Sequence, residues 1–218
     1  NDDIACTDVF YDLAFLLMDL WRRQLPRHAN VVLNRYLART GDANGLSLLP
    51  LFLSCRASVR AKTSATAARL QSDAKEREGL QSLARQYLAM AGDLLHPPRP
   101  SLIAIGGFSG SGKSTLALSL APHVGAVPGA VVLRSDEIRK GLSGVPPLDH
   151  LDAGGYAPVV NERVYTRLAE TAALVVRSGH SAIVDAVFSR SADRRAIERV
   201  AAGASVPCWW SRACSRRA

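Results

Sequence analysis

Along the first part of the chain, apolar positions recur at three- and four-residue steps. Val9, Leu13, Leu16, Leu17 and Leu20 keep that spacing, while Asp8, Asp12, Asp19, Arg22 and Arg23 fall mostly off the stripe. A repeat near 3.6 residues predicts an amphipathic helix, which Pro26 breaks. A second helix is expected through Val31, Leu37 and Ala38, ending at the turn-rich Gly41-Asp42-Ala43-Asn44-Gly45. Leu48 to Ala68 predicts a third, with Pro50 in its first turn, where proline is tolerated. Glu76 to Leu95 predicts a fourth. No segment before residue 97 reads as a strand.

The rhythm then changes. Residues 96–101, HPPRPS, carry three prolines. Proline cannot continue a helix and pushes its predecessor to extended geometry. Residues 97–101 are therefore expected to link a helical segment, 1–96, to a second domain, 102–218. Beyond them, short apolar runs alternate with helical patterns. Leu102–Ile105, Ala130–Arg134, Ser181–Asp185 and Ser205–Trp210 predict strands. Lys113–Ala121, a short stretch from Asp136 to Gly141, Pro158–Ser178 and Arg190–Ala202 predict helices. Continuous apolar strands between helices imply a parallel sheet covered on both faces. The expected class is α/β, preceded by an all-α segment.

Between the first strand and its helix lies Gly107-x4-Gly112-Lys113-Ser114, which fits the template G-x-x-x-x-G-K-[ST]. Glycines let the backbone curl so that successive N–H groups converge on phosphate oxygens. The helix that follows adds the positive end of its dipole. Gly107, Ser109, Gly110, Ser111, Gly112, Lys113, Ser114 and Thr115 are thus expected to bind ATP, in a P-loop NTPase type of fold. Lys113 is expected at the β- and γ-phosphates, and the Ser114 hydroxyl on Mg2+. Asp185 ends the strand SAIVD, where a carboxylate either holds the Mg2+ shell or caps the next helix. Asp136 follows the strand AVVLR, and ligands bind beyond the carboxyl ends of strands in open α/β sheets. The right-handed crossover rule brings that strand back to the same edge of the sheet, so Asp136 is expected beside the P-loop, within several ångströms of Lys113. There it either orients an acceptor hydroxyl or caps a helix. Arg139, one turn on, is placed to grip an anionic group.

Composition changes this picture little. At 48% hydrophobic and 21% charged the chain is globular in character, and no apolar run approaches the ~20 residues of a membrane span. Cys6, Cys55, Cys208 and Cys214 show no C-x-x-C spacing and suggest reduced thiols in a cytoplasm. The net charge of +8 is local: from Arg190 onward, seven arginines against Asp193 and Glu198 give +5. That concentration is poor evidence for a nucleic-acid partner, and an aromatic content of only 6% leaves few rings for base stacking. The abrupt start at Asn1 and the final CWWSRACSRRA suggest a fragment of a longer chain, truncated at its C-terminus.

The stretches GGFSGSGKST, LRSDEIRKGL and SAIVDAVFSRSADRR together resemble the small P-loop kinases of AAA, zeta-toxin and adenylylsulfate-kinase type, a group that includes gluconate kinase and the polynucleotide kinase phosphoryl-transfer domain. The resemblance covers residues 102 to about 205. It implies that Asp136 meets the acceptor hydroxyl and Arg139 the substrate, and that Lys113, Asp136 and Arg139 form the catalytic set. Such kinases close an arginine-bearing lid on ATP, which nothing near Trp210 matches. NDDIACTDVFYDLAFLLMDL and LLPLFLSCRASVRAK resemble the C-terminal lobe of aminoglycoside-phosphotransferase-like proteins, with Asp2 nearest to that family's metal ligand. Bacterial proteins that fuse the two are similar to this chain, which would then carry a helical remnant inactive by itself. The expected function is transfer of the γ-phosphoryl of ATP to a small hydroxyl-bearing molecule. A polynucleotide kinase and a nucleotide-gated regulator remain as alternatives.

Overall fold

The structure is a computed structural model that describes residues 7–146 and 149–213. Asp2, Cys6, Cys214, Arg216 and Arg217 lie outside the described residues. Four helices come first. Helix α1, Val9–Arg22, starts where the Asp8 carboxylate accepts the Phe10 N–H at 2.8 Å. It buries Phe10, Ala14, Leu17 and Met18, one stripe of the expected period. Helix α2, Pro26–Thr40, has proline in its first turn and stops at Gly41, whose φ of 68° is left-handed. Helices α3, Leu49–Leu70, and α4, Ala74–Leu94, lie against each other. Small residues on α3 (Ala57, Ala61, Ala68) are buried, and the Ser54 hydroxyl donates to the Ala91 carbonyl at 2.8 Å.

The rest is a four-stranded parallel sheet with helices on both faces. Strands β1 (Leu102–Gly106), β2 (Val131–Arg134), β3 (Ala182–Ala186) and β4 (Cys208–Arg212) stand in the order β2-β3-β1-β4. Helix α5, Lys113–Leu120, follows β1; α6, Ser135–Leu142, follows β2; α7, Pro158–Arg177, precedes β3; and α8, Ser191–Gly203, follows it. Alternation along the strands splits the core. Ile105, Val132 and Ile183 pack with Ala117 of α5. Leu102, Ala104, Val131, Leu133, Ala182 and Val184 pack with Leu168 and Val175 of α7 and Ile197 of α8. That second cluster continues without a break into Phe10, Leu17, Leu33 and Leu53 of the first helices.

Two expectations are corrected. Strand β2 is not beside β1: β3 lies between them, paired to both. The last strand begins at Cys208 rather than Ser205, because α8 runs to Gly203 and Ser205, at φ 54°, turns the chain. Pro207 has no N–H to give to a ladder, although its carbonyl accepts from Leu102 at 2.9 Å.

The outer edge of β2 is sealed by α2. Asn34 accepts the Val132 N–H on Oδ1 at 2.7 Å and donates from Nδ2 to the Ala130 carbonyl at 3.2 Å. Asn30, 1% exposed, donates to the same carbonyl at 3.0 Å. Two side-chain amides thus stand where a further strand would pair.

Candidate functional site

The loop between β1 and α5 is shaped by glycine. Gly107 has φ 150°, and a Cβ there would lie 2.8 Å from both the Ala213 carbonyl and Ser111 Oγ. Gly112 caps α5 in the left-handed region, φ 83°, which costs an L side chain. Lys113 curls back and donates from Nζ to the Phe108 carbonyl at 2.7 Å. Ser111 Oγ is buried without a hydrogen-bond partner. A cradle that a Cβ would crowd, holding an unpaired buried hydroxyl, fits an anion.

Opposite the loop stands Asp185. Register pairs it with Ile105 on one side and Arg134 on the other, so all three project to the α5 face at the strands' carboxyl ends. Asp185 is 4% exposed. Oδ2 accepts the Ser114 hydroxyl at 2.6 Å and lies 3.6 Å from Arg134 Nε. Asp185 does not cap α8, which starts six residues later at Ser191. One carboxylate and one hydroxyl are hard oxygen donors of the kind that bind Mg2+ together with phosphate oxygens. No cluster of three or more His, Cys, Asp or Glu able to hold a metal occurs among the described residues, so phosphate oxygens and waters would complete the coordination.

Asp136 sits in the first turn of α6 rather than at its cap, which is Arg134. Its half-exposed carboxylate lies 3.5 Å from Lys140. Arg139 is 7% exposed; it donates to the Gly155 carbonyl at 2.8 Å and lies over the Tyr156 ring at 4.9 Å. Ser109 and Thr115 are exposed on the loop and on α5.

Sequence reasoning missed the opposite wall. A cleft of about 930 Å3 borders the loop on its β4 side, lined by Gly107, Phe108, Phe188, Arg194 and Trp210 among others. Phe188 has φ 52°, a strained value for a bulky residue. Its N–H donates to the Tyr165 hydroxyl at 3.0 Å, and its carbonyl accepts from Arg194 at 2.7 Å. Burial pushes the Tyr165 hydroxyl above its ordinary pKa, keeping it protonated. So held, the Phe188 ring meets Trp210 edge-on at 5.1 Å. The signal was present as Phe188, three residues after Asp185, and in the pair Trp209-Trp210.

The AAA_33 family, described as an AAA domain, matches residues 102–213. This chain belongs to the AAA_33 family. The match supports a P-loop, kinase-like nucleotide-binding domain. Two relatives described only as uncharacterised, Mb2027c of Mycobacterium bovis and Rv2004c of Mycobacterium tuberculosis, are each 31% identical over 208 residues. The alignment takes in 93% of this chain, helical segment included, and the chain spans 40% of the length of those relatives. Among solved structures, the APS kinase CysC of Mycobacterium tuberculosis aligns at 23% identity and a TM-score of 0.39 over 53% of this chain and 76% of its own. That likeness is too loose to carry an argument. No helix among the described residues of this AAA_33 member is long and apolar enough to cross a membrane.

Proposed function

We propose that this chain binds ATP with Mg2+ and transfers the γ-phosphoryl group to a hydroxyl of a small molecule. The carrying observation is the Ser114–Asp185 contact of 2.6 Å at the head of the P-loop helix. It pairs the two oxygen groups that such a metal site needs, beside a loop shaped for phosphate. Backbone N–H groups of the loop and of the start of α5 would bind the phosphates, apart from that of Ser111, which donates to the Phe108 carbonyl at 3.2 Å. Lys113 leaves the Phe108 carbonyl for the β- and γ-oxygens. Ser114 and Asp185 would hold Mg2+, Ser114 turning its proton away to offer a lone pair, and the metal would supply neutralisation of the phosphate charge.

The sheet order divides the remaining roles. The aromatic cleft lies on the β4 side and takes the nucleotide base. Asp136 follows β2, on the other side of β3, and takes the acceptor. The acceptor oxygen attacks the γ-phosphorus. The bond to the bridging oxygen breaks, ADP leaves with that electron pair, and the hydroxyl proton passes to Asp136. Arg139 acts through the Gly155–Tyr156 turn that it holds. The helical segment, in our reading a remnant of aminoglycoside-phosphotransferase-like type, takes no part in the chemistry.

Calorimetry with Mg-ATP tests the reading. A hydrogen bond to a charged group contributes roughly 1.5–3 kcal/mol, so Lys113→Ala is expected to weaken binding by about tenfold or more. Equal affinity in two folded proteins would overturn it. A panel of hydroxyl-bearing small molecules, followed by ADP release, then identifies the acceptor.

A further inference from the structure

Arg134 has no part in the scheme above, yet it touches the metal carboxylate. It ends β2 and shares a register row with Asp185. Its Nε is buried and makes no hydrogen bond, although it lies 3.6 Å from Asp185 Oδ2. Its NH1 holds Glu137 at 2.7 Å. The oxygen it faces is the one that accepts from Ser114. A buried carboxylate is costly without a compensating charge, and the Arg134 guanidinium supplies one.

We propose that Arg134 is a positioning residue that competes with a divalent cation for Asp185: it holds the carboxylate in line with Ser114 and gives way when the metal arrives. The inference rests on the nucleotide-binding reading. Two cationic groups cannot both sit close to one oxygen without repulsion. The displaced guanidinium keeps Glu137 as its anchor and stays at the carboxyl end of β2, between metal and acceptor side. Glu137 therefore sets how much of the Arg134 charge falls on Asp185.

The competition has a signature that a structural role lacks. Arg134→Met should lower the Mg2+ concentration for half-maximal ADP binding, by roughly five- to tenfold for one charge removed at this range. It should also lower the melting temperature in EDTA and enlarge the rise that Mg2+ with ADP produces. Arg134→Lys keeps the charge and should leave the Mg2+ midpoint within about twofold. Glu137→Gln frees Arg134 for Asp185 and should raise the midpoint by about twofold or more. Calorimetric titrations of ADP at stepped Mg2+, with melting curves alongside, read all three.

An unmoved midpoint in Arg134→Met, or one that rises, overturns the proposal. If Arg134→Met does not fold, Glu137→Gln decides: a midpoint that fails to rise overturns it. Wild-type protein that binds ADP but shows no Mg2+ dependence overturns the competition alone. Wild-type protein that binds no nucleotide overturns the functional reading as well.

Discussion

A carboxylate reveals its work by what it touches. Asp185 is buried, accepts from Ser114 and faces a cation. Asp136 is half-exposed and faces Lys140 at 3.5 Å. Exposed ion pairs within a helix contribute roughly 0.3–0.5 kcal/mol, so the fold has little need of Asp136. Asp136→Asn is accordingly expected to melt within about 2 °C of wild type and to bind Mg-ATP as well. Transfer to the acceptor should fall by ~100-fold or more, the scale of a lost general base. Rates of ADP release with and without acceptor separate the two effects. Transfer at the wild-type rate would remove Asp136 from the chemistry. The loop from Gly107 to Thr115 stood out because its glycines, lysine and hydroxyls recur at the spacing of a phosphate-binding template, and the chain does curl there at Gly107 and Gly112. Arg134 was not, because a charged residue ending a strand has no motif; only pairing with β3 shows what it faces.

Elements were legible where local chemistry ends them. Pro26 opens α2 and Gly41 closes it; the apolar runs of β1, β2 and β3 lie where their composition put them. Strand order was not legible, since it depends on pairing between residues distant in sequence. Hence β3 between β1 and β2 came as a correction, and Asp136 stands across Asp185 from the P-loop strand. The part played by Asn30 and Asn34 was not legible for the same reason. In a helix they look like solvent-facing polar positions, but they close the free edge of β2. Asn34→Leu tests this. It fills the volume yet strands the buried Val132 N–H, at a cost of about 1–3 kcal/mol. For a chain of this size the melting temperature should drop by about 3–10 °C. Because β2 leads straight into Arg134 and Asp136, phosphoryl transfer should suffer more than ATP affinity. An unchanged melting temperature would mean that water replaces the amide and the edge is not sealed.

On the scale of the whole molecule, one apolar cluster runs from Phe10 in α1 to Ala201 in α8. Composition predicted two regions; it did not predict how they share a core, because a helical stripe does not name the surface that covers it. At the amino-terminal end of the sheet this packing also encloses His180, just before β3, with 0% exposure. Neither ring nitrogen makes a well-formed hydrogen bond. Burial outweighs the nearby backbone of Ser178 and Val127 and pushes the imidazole down to about 4 from its ordinary 6.5. The folded protein therefore keeps His180 neutral where the unfolded chain already protonates it. Above pH 6.5 the two states hold the same number of protons here, and this residue adds no pH dependence. Between pH 6.5 and 4 the unfolded state binds more protons, so stability falls as pH falls. The full loss from this one residue is about 3 kcal/mol. His180→Phe removes the proton acceptor while keeping an aromatic ring in the space. Denaturant unfolding measured from pH 7.5 to 4 should show a steep acid limb in the wild type and a flatter one in the variant. Parallel limbs would mean that His180 is hydrated in solution and that acid lability arises elsewhere in the molecule.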